Sequence, residues 1–326
     1  MKLGLIPITQ GGRELARTIA AKLDTAHLIP RNDGDKVADL FTRHWNEYDG
    51  FICIMATGIV VRSIAPHLGD KKTDPCIIVC DQQGANVISL LSGHLGGGNV
   101  LATQVAAITG GRPVITTASD TLGLVALDLW ARENQLTPPD RAELTRVTTD
   151  LVNLGCLPAY SDFEIATLPK GLEPCDDPRV AKIIISHKKY DAPQAAQFYP
   201  RNLVVGTGCN RGTPALEFEE ALSELFSDLQ LNTQSIRNLA SIDKKNDEVG
   251  LLQFAEQNSW PIDFFDKNRI NTQNNLEISF AALKAVGAIG VAEPAALLSA
   301  ESNLLLSRKR KWKNITMAVA QAPFSL

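Results

Sequence analysis

CIIVCDQQGANVISLLSGHLGGGN, residues Cys76 to Asn99, decides how the chain is read. CIIVCD is a short apolar run ended by a polar turn, the pattern of a fully buried strand. VISLL follows the turn Gln82 to Asn86 so closely that the two runs are expected to pair as a hairpin. SGHLGGGN, Ser92 to Asn99, then leads into VLATQVAAITG, whose apolar residues recur at helical spacing. A strand, a glycine-rich turn and a helix in that order gather backbone N–H groups at a helix start, where unsatisfied donors and the helix dipole favour anions. Gly93, Gly96, Gly97 and Gly98 let the chain bend and a ligand come close. His94 sets beside that surface an imidazole that can give or take a proton. The same residues also suit a plain turn with His94 as a hydrogen-bonded cap. The stretch is neither a P-loop, which ends in GKS or GKT, nor a dinucleotide fingerprint.

Outward from this centre, apolar runs alternate with amphipathic segments. KLGLIPI, AHLIP and FICIMA read as strands, and GRELARTIAAKL, VADLFTRHW and IVVRSIAPHL as helices. RPVIT adds a strand and LGLVALDLWAREN a helix. Such alternation predicts an α/β fold around a mostly parallel sheet over 1–137. Between 138 and 200 the pattern weakens to a small middle region with strands at LPAYSDF and AKIIISHKK. A second α/β domain is expected over 201–326. Its strands are NLVVGTGC, IRNLASI, PIDFF and NITMAVA, and its helices PALEFEEALSELFSDL, with Pro214 in the first turn, EVGLLQFAEQN and VAEPAALLSA.

With 326 residues and 44% hydrophobic content, the chain can fill more than one core. A formal net charge of -4 supplies no basic field to recruit nucleic acid. MKLGLIPITQGG lacks the apolar core of a signal peptide, and the apolar runs elsewhere are of strand length, so a cytoplasmic protein with no membrane partner is expected. Six cysteines do not form a disulfide framework in a chain this long. Cys76 and Cys80 fall on one face of their strand and are expected to pack as small hydrophobes rather than bind metal.

Several other strand ends carry polar residues. Thr57 and Gly58 open a helix, with Arg62 near its first turn as a candidate for a two-pronged carboxylate contact, and Lys71 and Lys72 lie beyond it. TTASD, Thr116 to Asp120, precedes another helix, which Asp120 is expected to cap. Open α/β sheets place ligands along the edge where strands end, and these loops are expected to share it. Farther on, GTGCNRGT (Gly206 to Thr213) repeats strand, glycine turn, basic residue and helix, offering Gly208 and Arg211. Cys209 lacks a marked base beside it and is a poor candidate nucleophile. SIDKKNDEVG (Ser241 to Gly250) packs Lys244, Lys245, Asp247 and Glu248 together, with Asp247 as a plausible N-cap. Glu293, beside Pro294, suits capping as well as catalysis.

These segments, in this order, resemble the cobalt-precorrin-5A hydrolase family, the CbiG proteins of anaerobic cobalamin biosynthesis. FICIMATGIVVRSIAPHLGDKKTDPCIIVCDQQGANVISLLSGHLGGGNVLA and PVITTASD carry the N-terminal resemblance. VVGTGCNRGT, SIDKKNDEVGLLQFA, PIDFF and GVAEPAAL carry the C-terminal one. Gly98 stands where the family typically has alanine, and Ser119 where it has threonine. The resemblance implies a cytoplasmic enzyme that opens the ring-A lactone of cobalt-precorrin-5A and releases a two-carbon unit as acetaldehyde. Cobalt would arrive inside the substrate, so no cofactor and no protein metal site are expected. Water attack calls for a base and for donors to an oxyanion. His94 is the candidate acid/base, with Gly96 to Gly98 as N–H donors and Glu248 in reserve. Thr57, Gly58, Arg62, Ser92, Gly93, Asn99, Gly208, Arg211, Lys244 and Lys245 are the other candidate contacts to a carboxylate-rimmed macrocycle. Transient contacts with neighbouring pathway enzymes are conceivable on this reading. A non-catalytic tetrapyrrole carrier is the alternative, and the glycine turns alone leave a nucleotide-using enzyme as a third.

Overall fold

The computed structural model describes every residue except Asp33, Lys71, Lys72, Leu95 and Asn275. The chain divides into two compact units, Met1–Leu129 and Trp130–Leu326. Strands and helices alternate through the first unit as β1 (Leu3–Pro7), α1 (Gln10–Ala20), β2 (Ala26–Leu28), α2 (Val37–His44), β3 (Gly50–Ile54), α3 (Thr57–Ile64), β4 (Cys76–Cys80), β5 (Asn86–Leu91), α4 (Gly98–Thr109), β6 (Arg112–Val114) and α5 (Ala118–Leu122). A sixth helix, α6 (Leu127–Glu133), begins at its end. The sheet runs β2-β1-β3-β4-β5-β6.

All neighbours in this sheet are parallel except β4 and β5, where Ile77 faces Leu91 and Cys80 faces Val87. That hairpin reverses the chain, so β5 and β6 end on the opposite edge from β1, β3 and β4. The loops after β3, β5 and β6 therefore do not share one edge, contrary to expectation: Thr57 and Gly58 lie on one, the turns at 92–99 and 116–120 on the other. Ser92 Oγ donating to the Asp74 carbonyl at 3.1 Å, just before β4 begins, fixes that placement. β1, β3 and β4 are buried along their whole length because helices cover both faces, which is why their sequences read as unbroken apolar runs. Cys76 and Cys80 sit in this core as expected, with burial pushing each thiol up to about 12.

In the second unit, β7 (Leu136–Thr137), α7 (Arg141–Leu154), β8 (Leu157–Ser161), β9 (Leu172–Pro174), β10 (Ile183–Ile185) and β11 (Ala196–Pro200) build a five-stranded sheet, order β7-β11-β10-β8-β9. The weakly patterned stretch thus carries a sheet of its own and belongs to the same compact unit as the sheet that follows. That second sheet has the order β14-β13-β12-β16-β15. It comprises β12 (Leu203–Cys209), α8 (Ala215–Asp228), β13 (Ile236–Ile242), α9 (Val249–Gln257), β14 (Ile262–Phe265), α10 (Lys267–Ile270), α11 (Phe280–Val286), α12 (Ala292–Ala300), β15 (Leu305–Lys311) and β16 (Ile315–Gln321). β12, β13 and β14 are parallel, while β16 runs against both β12 and β15. Phe218, Leu225 and Phe254 fill the core on the α8–α9 side; Ala288, Ala295 and Ala296 line the α12 side. Pro214 sits one place earlier than expected, as the N-cap of α8.

Candidate functional site

Two polar groups stand at strand ends, one in each unit. The first forms where β5 and β6 end side by side. Ser92 turns the chain with φ +52°, and Gly97, at φ +79°, caps α4. Within the turn the N–H of Gly97 donates to the His94 carbonyl (2.8 Å), that of Gly98 to Ser92 (3.1 Å) and that of Asn99 to Gly93 (2.8 Å). A Cβ on Gly96 would come within 2.6 Å of the Ser92 carbonyl oxygen, so the turn closes only around glycine. These bonds correct one expectation. The N–H groups of Gly97 and Gly98 build the turn itself and are not donors held ready for an oxyanion.

What the turn presents instead is a side chain. His94 Nε2 lies 2.8 Å from Asp120 Oδ2, and Asn99 Nδ2 donates to the same oxygen at 2.9 Å and to Thr117 Oγ1 at 3.2 Å. Asn99 is buried, so its amide is a fixed strut. Asp120 does not cap α5, as had been expected; Thr117 holds that position, and the Asp120 carboxylate turns to the imidazole. A carboxylate only accepts, so Nε2 is the donor in this contact. Nδ1 faces Asp128 Oδ1 across 3.8 Å, too far for a hydrogen bond, and the His94 side chain is 20% exposed. The imidazole is thus oriented through Nε2, with Nδ1 turned toward Asp128.

Thr57, Gly58 and Arg62 do not join this group. The Arg62 guanidinium folds back along α3 to donate to the Gly58 carbonyl at 3.1 Å, as helical side chains lean toward the N-terminus. Arg62 itself belongs to the last turn of α3, not the first. Lys71 and Lys72 lie outside the described residues.

The second group forms where β12 and β13 end. Glu248 is 3% exposed; its Oε1 accepts from the Gly212 N–H at 2.7 Å, and its Oε2 lies 3.6 Å from Lys245 Nζ and 3.7 Å from Arg211 Nη1. Arg211 also pairs with Asp247 and donates to the Lys244 carbonyl at 3.0 Å. Asp247 therefore pairs with a cation and does not cap α9, where Glu248 is the N-cap residue. A Cβ on Gly250 would strike the Thr213 carbonyl, so this glycine lets α9 and the Arg211 turn meet. Burial pushes the Cys209 thiol up to about 11; Lys245 pulls it down, Glu248 adds to the rise and Arg211 opposes it. At neutral pH it is a thiol, not a nucleophile. Gly208 packs where a Cβ would meet Thr316 Oγ1 at 2.7 Å. Glu293 neither caps α12 nor reaches this group; its Oε1 accepts from the Lys309 N–H at 3.1 Å, tying the helix to β15.

Of the expected site residues, the structure joins His94 with Asn99, and Arg211, Lys244, Lys245 and Glu248 with one another. It adds Asp120 and Asp128, which sequence reasoning passed over. Asp120 stood in a quoted motif, but only the sheet order shows that its loop lies beside His94.

Two family models match the chain, Cobalamin synthesis G N-terminal over residues 39–120 and Cobalamin synthesis G C-terminus over residues 203–320. The first spans His94 through Asp120 and the second spans the Arg211–Glu248 group. The chain is similar to the cobalt-precorrin-5A hydrolase of Priestia megaterium, at 32% identity covering 98% of this chain and 95% of that one. It is similar to the enzyme of the same name from Salmonella typhimurium, at 31% identity covering 98% and 97%. A probable cobalt-precorrin-5A hydrolase of Methanocaldococcus jannaschii is 29% identical, covering 98% and 99%.

Proposed function

The chain belongs to the cobalt-precorrin-5A hydrolase family, and from that premise we propose that it hydrolyses cobalt-precorrin-5A with His94 as the proton-transfer group. Water adds to the ring-A lactone carbonyl, and the acyl C–O bond breaks to give a carboxylate and a hydroxyl on the two-carbon bridge. That hydroxyl loses its proton as the C–C bond to the macrocycle breaks. Acetaldehyde leaves, the macrocycle takes the electron pair and a proton, and cobalt-precorrin-5B remains. One water is consumed.

The observation that carries this reading is the His94–Asp120 contact at 2.8 Å. It commits Nε2 as donor and leaves Nδ1 to take a proton from water and return it to the macrocycle, a role worth about 100- to 10,000-fold in rate. In the second unit, Arg211 is matched by Asp247 and Glu248 and Lys245 by Glu248, so this strand-end group is a balanced ion network. Glu248, flanked by two cations and bonded to the Gly212 N–H, serves to hold those cations and the turn rather than to act as base. Cobalt is cargo of the substrate, and the steps above call on no resident cofactor.

We place the reaction in the cytoplasm, where six unpaired cysteines suit a reducing compartment. Among the described residues no helix is long and apolar enough to cross a membrane. Unstable intermediates on either side of this step give a reason for transient contacts with neighbouring enzymes of the pathway.

Anaerobic incubation of the protein with cobalt-precorrin-5A tests the reading. One acetaldehyde per substrate consumed is expected. Substrate bound without acetaldehyde would make the protein a carrier instead.

A further inference from the structure

Two carboxylates flank His94 at different distances. Asp120 Oδ2 takes the Nε2 hydrogen at 2.8 Å, and the buried Asn99 amide holds that oxygen in place at 2.9 Å. The His94 carbonyl is itself bonded to the Gly97 N–H at 2.8 Å, so backbone and ring are both fixed, and Nδ1 is aimed at Asp128. Asp128 is set just as firmly from the other side. It lies in the first turn of α6, directly after Leu127, which is 1% exposed and anchors the turn. Its Oδ1 accepts the Leu129 N–H at 2.9 Å, and this is the same oxygen that faces Nδ1.

The two facing atoms stand 3.8 Å apart, too far for a hydrogen bond and close enough to share one water. A water oxygen about 2.8 Å from both sends one O–H to each, with both bonds straighter than about 150°. Each side chain is 20% exposed, so solvent reaches the gap. With both hydrogens engaged, the lone pairs of that water point away from the two side chains, toward whatever lies over them.

We propose that Asp128 orients the attacking water, holding one of its hydrogens while His94 Nδ1 takes the other. The proposal rests on the hydrolase reading and names a further residue for that reaction. Nδ1 receives a proton as the water oxygen bonds the lactone carbonyl carbon and the acyl C–O bond breaks. The hydrogen held by Asp128 stays on oxygen in the new carboxyl group and passes to the bridge alkoxide, which leaves a carboxylate and a hydroxyl. Asp128 itself exchanges no proton. Its contribution is placement, which requires an acceptor at the Oδ1 position and does not require a charge there.

Three variants separate place from charge. Asp128→Asn keeps an oxygen where Oδ1 stands, because the Leu129 N–H still calls for an acceptor, and removes the charge. Asp128→Glu keeps the charge and moves the oxygen by a methylene, and Asp128→Ala removes both. Acetaldehyde release from cobalt-precorrin-5A gives kcat and KM. The expected result is a kcat within threefold of the parent for Asp128→Asn and about 100-fold lower for Asp128→Glu and Asp128→Ala, with KM within twofold throughout. The Asn and Glu variants decide the matter even where Asp128→Ala does not fold. A kcat that falls in Asp128→Asn and survives in Asp128→Glu would overturn the proposal and make Asp128 a charge partner of the imidazolium. A parent kcat in Asp128→Glu and Asp128→Asn alike, or a raised KM at unchanged kcat, would overturn it too. An active parent with any of these results leaves the hydrolase reading standing, whereas a parent that releases no acetaldehyde sinks both.

Discussion

Asp120 Oδ2 receives the His94 Nε2 hydrogen at 2.8 Å and an Asn99 hydrogen at 2.9 Å. Two donors on one oxygen hold the carboxylate still, and in the proposed mechanism the carboxylate in turn sets which imidazole nitrogen acts as base. Asp120→Asn places an amide where only an acceptor serves, so the tautomer is no longer enforced. The expected result is a fall in kcat of about 100-fold with KM within twofold, read from acetaldehyde release at saturating and limiting substrate. A risen KM at unchanged kcat would assign Asp120 to substrate contact instead. His94 was visible in the sequence as a candidate, an imidazole in a glycine-rich turn that also suits a hydrogen-bonded cap. Asp120 was not, because an aspartate just after a strand and before a helix fits a cap equally well. Only the partner across the loop separates the two uses. Asp247 was misread for the same reason.

Among the elements, the β4–β5 hairpin was plain from the spacing of two apolar runs, yet it moves the loop after β3 away from the loops after β5 and β6. A one-dimensional reading sees strand ends, whereas their direction depends on every reversal between them. Helix α7 escaped notice because its buried face is narrow, with Val147 and Leu151 alone buried, and its threonines favour other structures. Strand β15, LLSRKRK, hid behind its charges, which suit an exposed edge strand. In the middle sheet, Asp162 joins the ends of β8 and β10. Burial works against its charge, but Ser186 Oγ (2.6 Å), Tyr190 OH (2.9 Å), Tyr160 OH (3.0 Å) and Lys188 outweigh it and hold the carboxyl below the usual range. A carboxyl whose folded pKa lies below its unfolded value of about 3.9 adds stability above that pH and loses it as pH falls through the folded value. Asp162→Asn should therefore cost about 1–3 kcal/mol at pH 7, and less at about pH 3. Urea unfolding at both values measures this, and an equal cost at both would show that charge plays no part.

For the whole molecule, the formal net charge of -4 opposes a polyanionic substrate, whereas on the proposed hydrolase reading any cation that meets the rim carboxylates attracts it locally. Salt separates the two effects, because screening weakens whichever dominates. Local attraction predicts a KM that rises between about 50 and 500 mM salt, with kcat steady; a falling KM would mean that the global charge governs encounter. The α/β class and the glycine-bearing turns at strand ends could be read from periodicity and turn chemistry, whereas Asp120 and Asp128 as partners of His94 could not. The sheet within 138–200 could not, since its strands are short and its packing comes from residues far apart in sequence. The account as a whole stands on His94 as the group that moves the proton. A single-turnover comparison of the parent with His94→Ala, each saturated anaerobically with cobalt-precorrin-5A, tests this most directly. The account predicts that the variant binds the substrate as the parent does and releases acetaldehyde at least about 100-fold more slowly. Release at the parent rate from a folded His94→Ala protein would contradict it.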